Sequence, residues 1–220
     1  MRGLEIGVNM RPFLIALFGV LPSLTFFWWM LHDCRFILFS PTIPVAVYPN
    51  LILLWNAAVF GLFGLIHSTL AEAGISRLLY LVVAGLTSLT VIVFWQPLDG
   101  VLWKLADAQM MWYYGTSQFL VWLVLHGWII QQMGIAEFLG FREPVKRLVT
   151  SGPYAYCRHP MHANILGSLL LTPTMTTDRL TMLIAVGLYL AVAIPLEEAR
   201  LEEQFGEDWR AYRARTPLLF

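Results

Sequence analysis

The chain has 220 residues, of which 58% are hydrophobic and 13% charged, with 14 basic and 14 acidic side chains. Soluble domains run nearer roughly 45–50% apolar and 25% charged, and a soluble fold of this size cannot hide so much apolar surface. The composition excludes a soluble globular class, the zero net charge offers nothing to nucleic acid, and one integral membrane domain is predicted.

In chain order, Pro12 to Leu31 is the first predicted span, with Trp28 and Trp29 near its end as an aromatic belt. Arg2 and Arg11 precede it, as in a signal peptide. It is longer than the usual apolar region of one and no small-residue cleavage site follows, so it reads as a retained anchor. Val45 to Leu70, Leu78 to Trp95 and Trp112 to Met133 supply three more spans of helical length. Gly61-Leu62-Phe63-Gly64 reads as helix packing, since no strand precedes it. His126 reads as a neutral imidazole satisfied by a neighbouring helix, whereas His67, beside Ser68, stands near a span end where it could line a cleft. Most tryptophans read as belt residues. Met161 to Leu171 is a short segment, followed by a turn at Thr172-Pro173-Thr174 and a last span, Leu180 to Leu196. Pro173 suits a turn, having no N–H and a fixed φ.

Charge placement orients this six-span bundle. Arg2, Arg11, Arg77, Arg142, Lys146, Arg147, Arg158, Arg200, Arg210, Arg213 and Arg215 would share one face, against Arg35, Lys104 and Arg179 on the other. Such a bias predicts that both termini are cytoplasmic. It also puts the two cysteines, Cys34 and Cys157, on opposite faces, so they should not pair.

The same arrangement brings two charged clusters together. Arg158-His159-Pro160 precedes the final hairpin and Glu197-Glu198 follows it; between them the only charges are Asp178 and Arg179. Charges beside hydrocarbon are costly, so a convergent set suggests a site. The residues alone leave other readings open. His159 and His162, three apart, could face one metal with Glu197 or Glu198. The two glutamates could be the solvated end of a span, and residues 197–215 an interfacial helix with acids early and arginines late. No Rossmann glycine signature is present.

Ser151-Gly152-Pro153-Tyr154-Ala155-Tyr156-Cys157-Arg158-His159-Pro160 resembles the opening motif of the isoprenylcysteine carboxyl methyltransferase and phospholipid methyltransferase superfamily of membrane methyltransferases. Glu197-Glu198-Ala199-Arg200-Leu201, with Phe205-Gly206-Glu207-Asp208-Trp209 and Tyr212, resembles its closing motif. Upstream, His67-Ser68, Trp95-Gln96-Pro97 with Trp103, Glu137-Phe138-Leu139-Gly140-Phe141 and Thr172-Pro173-Thr174-Met175-Thr176 resemble the branch holding methanethiol S-methyltransferases and nurim.

The resemblance implies an all-α polytopic bundle of about six spans with a C-terminal interfacial helix. It implies a single domain, residues 1–143 forming a four-span part and 144–220 a cofactor-binding part. The implied activity is S-adenosylmethionine-dependent methyl transfer to a small thiol or a lipid-linked thiol, carboxylate or amine, at the cytoplasmic face of a bacterial inner membrane or, in a eukaryote, an endomembrane or nuclear envelope. Because the branch holds nurim, a non-catalytic membrane scaffold is the second reading. Carried over, Tyr154, Tyr156, Arg158, His159 and Pro160 contact the cofactor, and Glu197 or Glu198 accepts from its ribose or amino group. No metal is implied. Arg158 suits the methionine carboxylate, with Arg200 or Arg213 as substitutes. His159 or His162 could take a thiol proton. The sequence departs from the family at His162, where the pattern has tyrosine, and at Trp209, where tyrosine is common.

Overall fold

The computed structural model describes residues 10–32, 49–139, 141–142 and 147–219. Arg2, Cys34, Arg35, Lys146 and the first residues of the second predicted span lie outside these. Helix dominates the described chain. The elements are α1 (Arg11–Leu14), continued by a π-helical stretch (Ile15–Val20) into α2 (Leu21–Leu31), then α3 (Pro49–Glu72), α4 (Arg77–Phe94), β1 (Val101–Lys104), α5 (Ala108–Met133) and the short α6 (Ile135–Phe138). A 3-10 turn (Gly152–Ala155) follows, then α7 (Pro160–Leu170), β2 (Thr174–Thr176), α8 (Thr177–Phe205) and α9 (Glu207–Arg215). Ser76, Asp107 and Thr176 cap α4, α5 and α8 by accepting from Leu79, Met110 and Arg179 N–H groups.

Four helical rods are long and apolar enough to cross a membrane: Pro12–Leu31, Asn50–Leu70, Arg77–Phe94 and Thr177–Phe205. They carry exposed apolar side chains such as Leu54 and Leu188, each 67% exposed, as lipid-facing walls require. This is an integral membrane protein. α5 matches them in length with 26 residues, whereas α7, with 11, rises about 16 Å, roughly half the hydrocarbon thickness.

Consecutive helices run in opposite directions. At one end Asn56, early in α3, exchanges hydrogen bonds with the Gln96 backbone just after α4 (2.8 and 2.9 Å). There too Arg179, early in α8, donates to the Leu31 carbonyl closing α2 (2.7 Å). Asp178 accepts from Trp95 Nε1 (3.1 Å) and the Leu98 N–H (3.0 Å). Asp178 and Arg179, the only charges between the two clusters, are fully buried and clasp three helices. Over this end β1 pairs antiparallel with β2 in the register Trp103↔Met175 and Lys104↔Thr174, a small sheet that sequence periodicity did not announce. At the opposite end Arg77 meets Phe138, Ser151 meets Gln132, and Arg158 meets Glu198.

The core lies nearer the first end, where Phe26, Trp29, Met30, Phe60, Trp95, Leu169, Met182 and Leu190 pack together. Trp29 and Trp95 meet edge to face at 5.7 Å and 82°. Trp29, Trp95, Trp122 and Trp209 are therefore core residues, not belt; Trp103, Trp112 and Trp128 are exposed. His126 donates from Nδ1 to the Trp122 carbonyl one turn back (2.9 Å), a bond within its own helix and not to a neighbour, while its Nε2 is buried with no hydrogen-bond partner among the described residues. The predicted interfacial helix is broken at Gly206 (φ +52°), which ends α8 and turns α9 back across it.

Candidate active site

The site forms where the 3-10 turn, α7, the far end of α8 and the C-terminal tail converge. Gly152 (φ +60°) starts the turn, and an added Cβ would press on Gln132 and Trp128 of α5. Ser151 Oγ donates to Gln132 Oε1 (2.8 Å) and Arg147 Nη2 to the Gln132 carbonyl (2.6 Å), which anchors the segment on α5. Pro160 takes the first position of α7, where its missing N–H is harmless. His159 precedes it with a ring free of capping duty, turned toward α8. Pro195 lies inside α8 and removes a ladder N–H two residues before Glu197. The tail returns along the other side, with Arg158 N–H donating to the Pro217 carbonyl (2.9 Å) and His159 N–H to Leu218 (3.2 Å).

Around Glu198 the charges close into a network. Arg158 Nε donates to Glu198 Oε1 at 2.7 Å, and His159 Nε2 lies 3.2 Å from the same oxygen. Arg213 Nε approaches Glu198 Oε2 at 3.6 Å. Arg158 Nη1 also donates to the carbonyls of Thr216 and Arg213 (3.2 Å to the latter). The Glu198 side chain is 10% exposed, whereas that of Glu197 is 47% exposed, with a 3.6 Å approach to His159 Nδ1. Glu198 is thus a buried organiser, and Glu197 keeps its carboxylate available.

Tyr154 adjoins this network. Its carbonyl accepts from Tyr212 Oη (2.7 Å). Burial first, and the Glu197 charge second, push its hydroxyl well above the usual tyrosine range. It stays a neutral donor. Burial also raises Tyr212 to about 12 and keeps the buried Cys157 thiol protonated. Tyr156 stands apart, 76% exposed on the rim of a groove of about 440 Å³ between α5 and α7.

The His162 ring stacks on His159 (5.4 Å, 22°), and its Nδ1 is buried with no hydrogen-bond partner among the described residues. His159, His162 and Glu197 each offer an atom within 4.8 Å of one another. Tetrahedral zinc with bonds of about 2.0–2.1 Å brings its ligands to about 3.3 Å, so a metal would have to draw the three together.

Two tyrosines that sequence reading passed over complete the surroundings. Tyr80 on α4 and Tyr189 on α8 lie within electrostatic reach of Glu197 and Arg200. Gly64 explains Tyr189: a Cβ there would meet its ring at 2.7 Å. Their only sequence signal is a phenol inside an apolar helix.

The sequence has counterparts among known proteins. The phospholipid methyltransferase family model matches residues 110–208, which include both charged clusters. Methanethiol S-methyltransferase 1 of Bradyrhizobium diazoefficiens is 25% identical over 97% of this chain and 84% of its own length. The methanethiol S-methyltransferase of Pseudomonas deceptionensis is 27% identical over 80% and 75%. The nurim homolog of Drosophila melanogaster is 27% identical over 58% of each chain. No solved structure matches. The chain is thus similar to the phospholipid methyltransferase family over residues 110–208, and to methanethiol S-methyltransferases and a nurim homolog over longer stretches.

Proposed function

We propose that the protein is an S-adenosylmethionine-dependent methyltransferase that methylates a small thiol at the cytoplasmic face of a bacterial inner membrane. The observation carrying this reading is the buried Arg158–Glu198–His159 network with the half-exposed Glu197 beside it. The relatives named methanethiol S-methyltransferase support the thiol over a lipid-linked acceptor. The charge bias supports six crossings with cytoplasmic termini, residues 1–143 as a four-span support and 144–220 as the cofactor-binding part.

The donor set suits the cofactor. S-adenosylmethionine is a cation with amino and ribose hydroxyl donors, and when bound it supplies a methyl already activated on a sulfonium sulfur. Glu197 accepts from those donors, and Tyr154 and His159 border it. Arg158 has two of its nitrogens engaged, so it acts first as a positioning residue; its Nη2 serves the carboxylate, with Arg213 or Arg200 as substitutes. Pro160 fixes the start of α7, and Tyr156, on the rim of the neighbouring groove, is the outermost of the expected contacts. His162 Nδ1, buried and lacking a partner, takes the thiol proton. Alignment and exclusion of water supply the remainder.

The similarity to the nurim homolog keeps one other reading in play, a non-catalytic scaffold. Membranes holding the protein, incubated with methyl-labelled S-adenosylmethionine and methanethiol, a prenylcysteine or phosphatidylethanolamine, separate the alternatives. Label in the volatile thioether alone supports the proposal. Label in a lipid product overturns the thiol assignment, and label in none leaves the scaffold.

A further inference from the structure

Two imidazoles and a carboxylate converge beside the Arg158–Glu198 pair. His159, its side chain 3% exposed, brings Nε2 to 3.2 Å from Glu198 Oε1 and Nδ1 to 3.6 Å from Glu197 Oε2. His162 lies three residues along on α7, its ring stacked on that of His159 (5.4 Å, 22°). One ligating atom from each of His159, His162 and Glu197 falls within 4.8 Å of the other two. The backbone behind them is held: His159 N–H donates to the Leu218 carbonyl (3.2 Å), and Glu197 sits within α8.

The hydrogens between these groups can be assigned. Glu198 Oε1 also accepts from Arg158 Nε (2.7 Å), so it meets His159 as an acceptor, and Nε2 carries the hydrogen. In the neutral ring Nδ1 is then a lone pair, 3.6 Å from a carboxylate oxygen. A doubly protonated ring does no better, because 3.6 Å is longer than a hydrogen bond. Two electron-rich atoms this close repel unless a cation lies between them. His162 adds an imidazole whose Nδ1 is buried with no hydrogen-bond partner among the described residues.

The donor set selects the cation. Two histidines and one acidic residue suit zinc with a fourth position open, whereas magnesium and calcium favour oxygen ligands. Glu198 behind His159 reproduces the carboxylate–histidine–metal arrangement, in which a carboxylate fixes the tautomer of a ligating ring. Zinc bonds of about 2.0–2.1 Å place ligand atoms about 3.3 Å apart. The His159–Glu197 pair, at 3.6 Å, is close to that already. Atoms now as much as 4.8 Å apart must approach by about 1.5 Å, a shift open to the Glu197 side chain, which is 47% exposed.

We propose that His159, His162 and Glu197 form a binding site for a divalent first-row transition metal ion, zinc being the best match, and that this ion and S-adenosylmethionine exclude one another because both need Glu197. The exclusion rests on the cofactor reading above; the metal site does not. The ion also occupies His162, which receives the thiol proton in that reading, so zinc inhibits methyl transfer.

The test titrates purified full-length protein in detergent, first stripped with a chelator, with zinc in a calorimeter and without cofactor. One zinc ion per chain should bind, and magnesium should not. A carboxylate behind a ligating histidine is itself worth about 10–100-fold in metal affinity, so His162→Gln and Glu197→Gln should each weaken zinc binding at least tenfold. If His162→Gln does not fold, Glu197→Gln, which leaves the buried network intact, carries the test. Saturating S-adenosylmethionine should weaken zinc at least tenfold, and zinc should weaken S-adenosylmethionine by the same factor. No zinc binding by the wild type, or zinc binding undiminished in the variants, overturns the metal site. Zinc affinity indifferent to bound S-adenosylmethionine overturns the exclusion. If zinc binds in this pattern and S-adenosylmethionine does not bind at all, the cofactor reading falls and the exclusion with it, while the metal site is upheld.

Discussion

Glu197 and Glu198 are neighbours in sequence, but successive side chains on a helix point about 100° apart, and Pro195 has loosened the ladder just before them. One carboxylate turns in to Arg158 and His159, and the other half faces solvent. Their substitutions should therefore differ in kind. Glu198→Ala leaves Arg158 and His159 without their shared acceptor and should cost about 3–5 kcal/mol of stability, read as a large drop in thermal midpoint in detergent. Glu197→Gln should leave that midpoint within a degree or two, yet weaken S-adenosylmethionine binding about tenfold or more, since a charge-assisted hydrogen bond is worth about 1.5–3 kcal/mol. Sequence spacing brought the two motifs together, but which glutamate organises and which is available depends on helix phase against the tail. Arg158 shows the same limit. Its motif marks it as important, while only the fold shows it holding Glu198 and the Thr216 carbonyl.

Among the elements, α4 packs tightly against the π-helical stretch. A Cβ at Gly85 would collide with the Phe18 carbonyl and the Gly19 backbone. Gly85→Val should therefore destabilise the bundle by about 1–3 kcal/mol, lowering the thermal midpoint without changing cofactor affinity at low temperature. The Asp178–Arg179 clasp predicts a similar separation of stability from binding. Asp178→Asn weakens the acceptor for Trp95 and Leu98 and should cost about 1.5–3 kcal/mol, measured by the same melt. Helix positions were readable because apolar runs of helical length have few alternatives. The clasp was not, because a charged pair between spans looks the same in sequence whether it meets water or is drawn inward by carbonyls and indoles. The β1–β2 pair escaped for a related reason: four residues and three carry too little periodicity to stand out.

At the scale of the molecule, opposed helix directions collect Arg77, Arg158, Arg200 and the Glu197–Glu198 pair at one end and the clasp with its small sheet at the other. The N-terminal helices reach the same end, where His67 of α3 and Tyr80 of α4 pair at 2.7 Å. The central claim is that the Arg158–His159–Glu198 network with Glu197 is a cofactor site. It is tested most directly by titrating the purified protein in detergent with S-adenosylmethionine and following tryptophan fluorescence. Saturable binding, competed by S-adenosylhomocysteine and weakened tenfold or more by Glu197→Gln at unchanged thermal stability, is the predicted result. The absence of saturable binding, or binding indifferent to Glu197→Gln and His159→Ala, would contradict it.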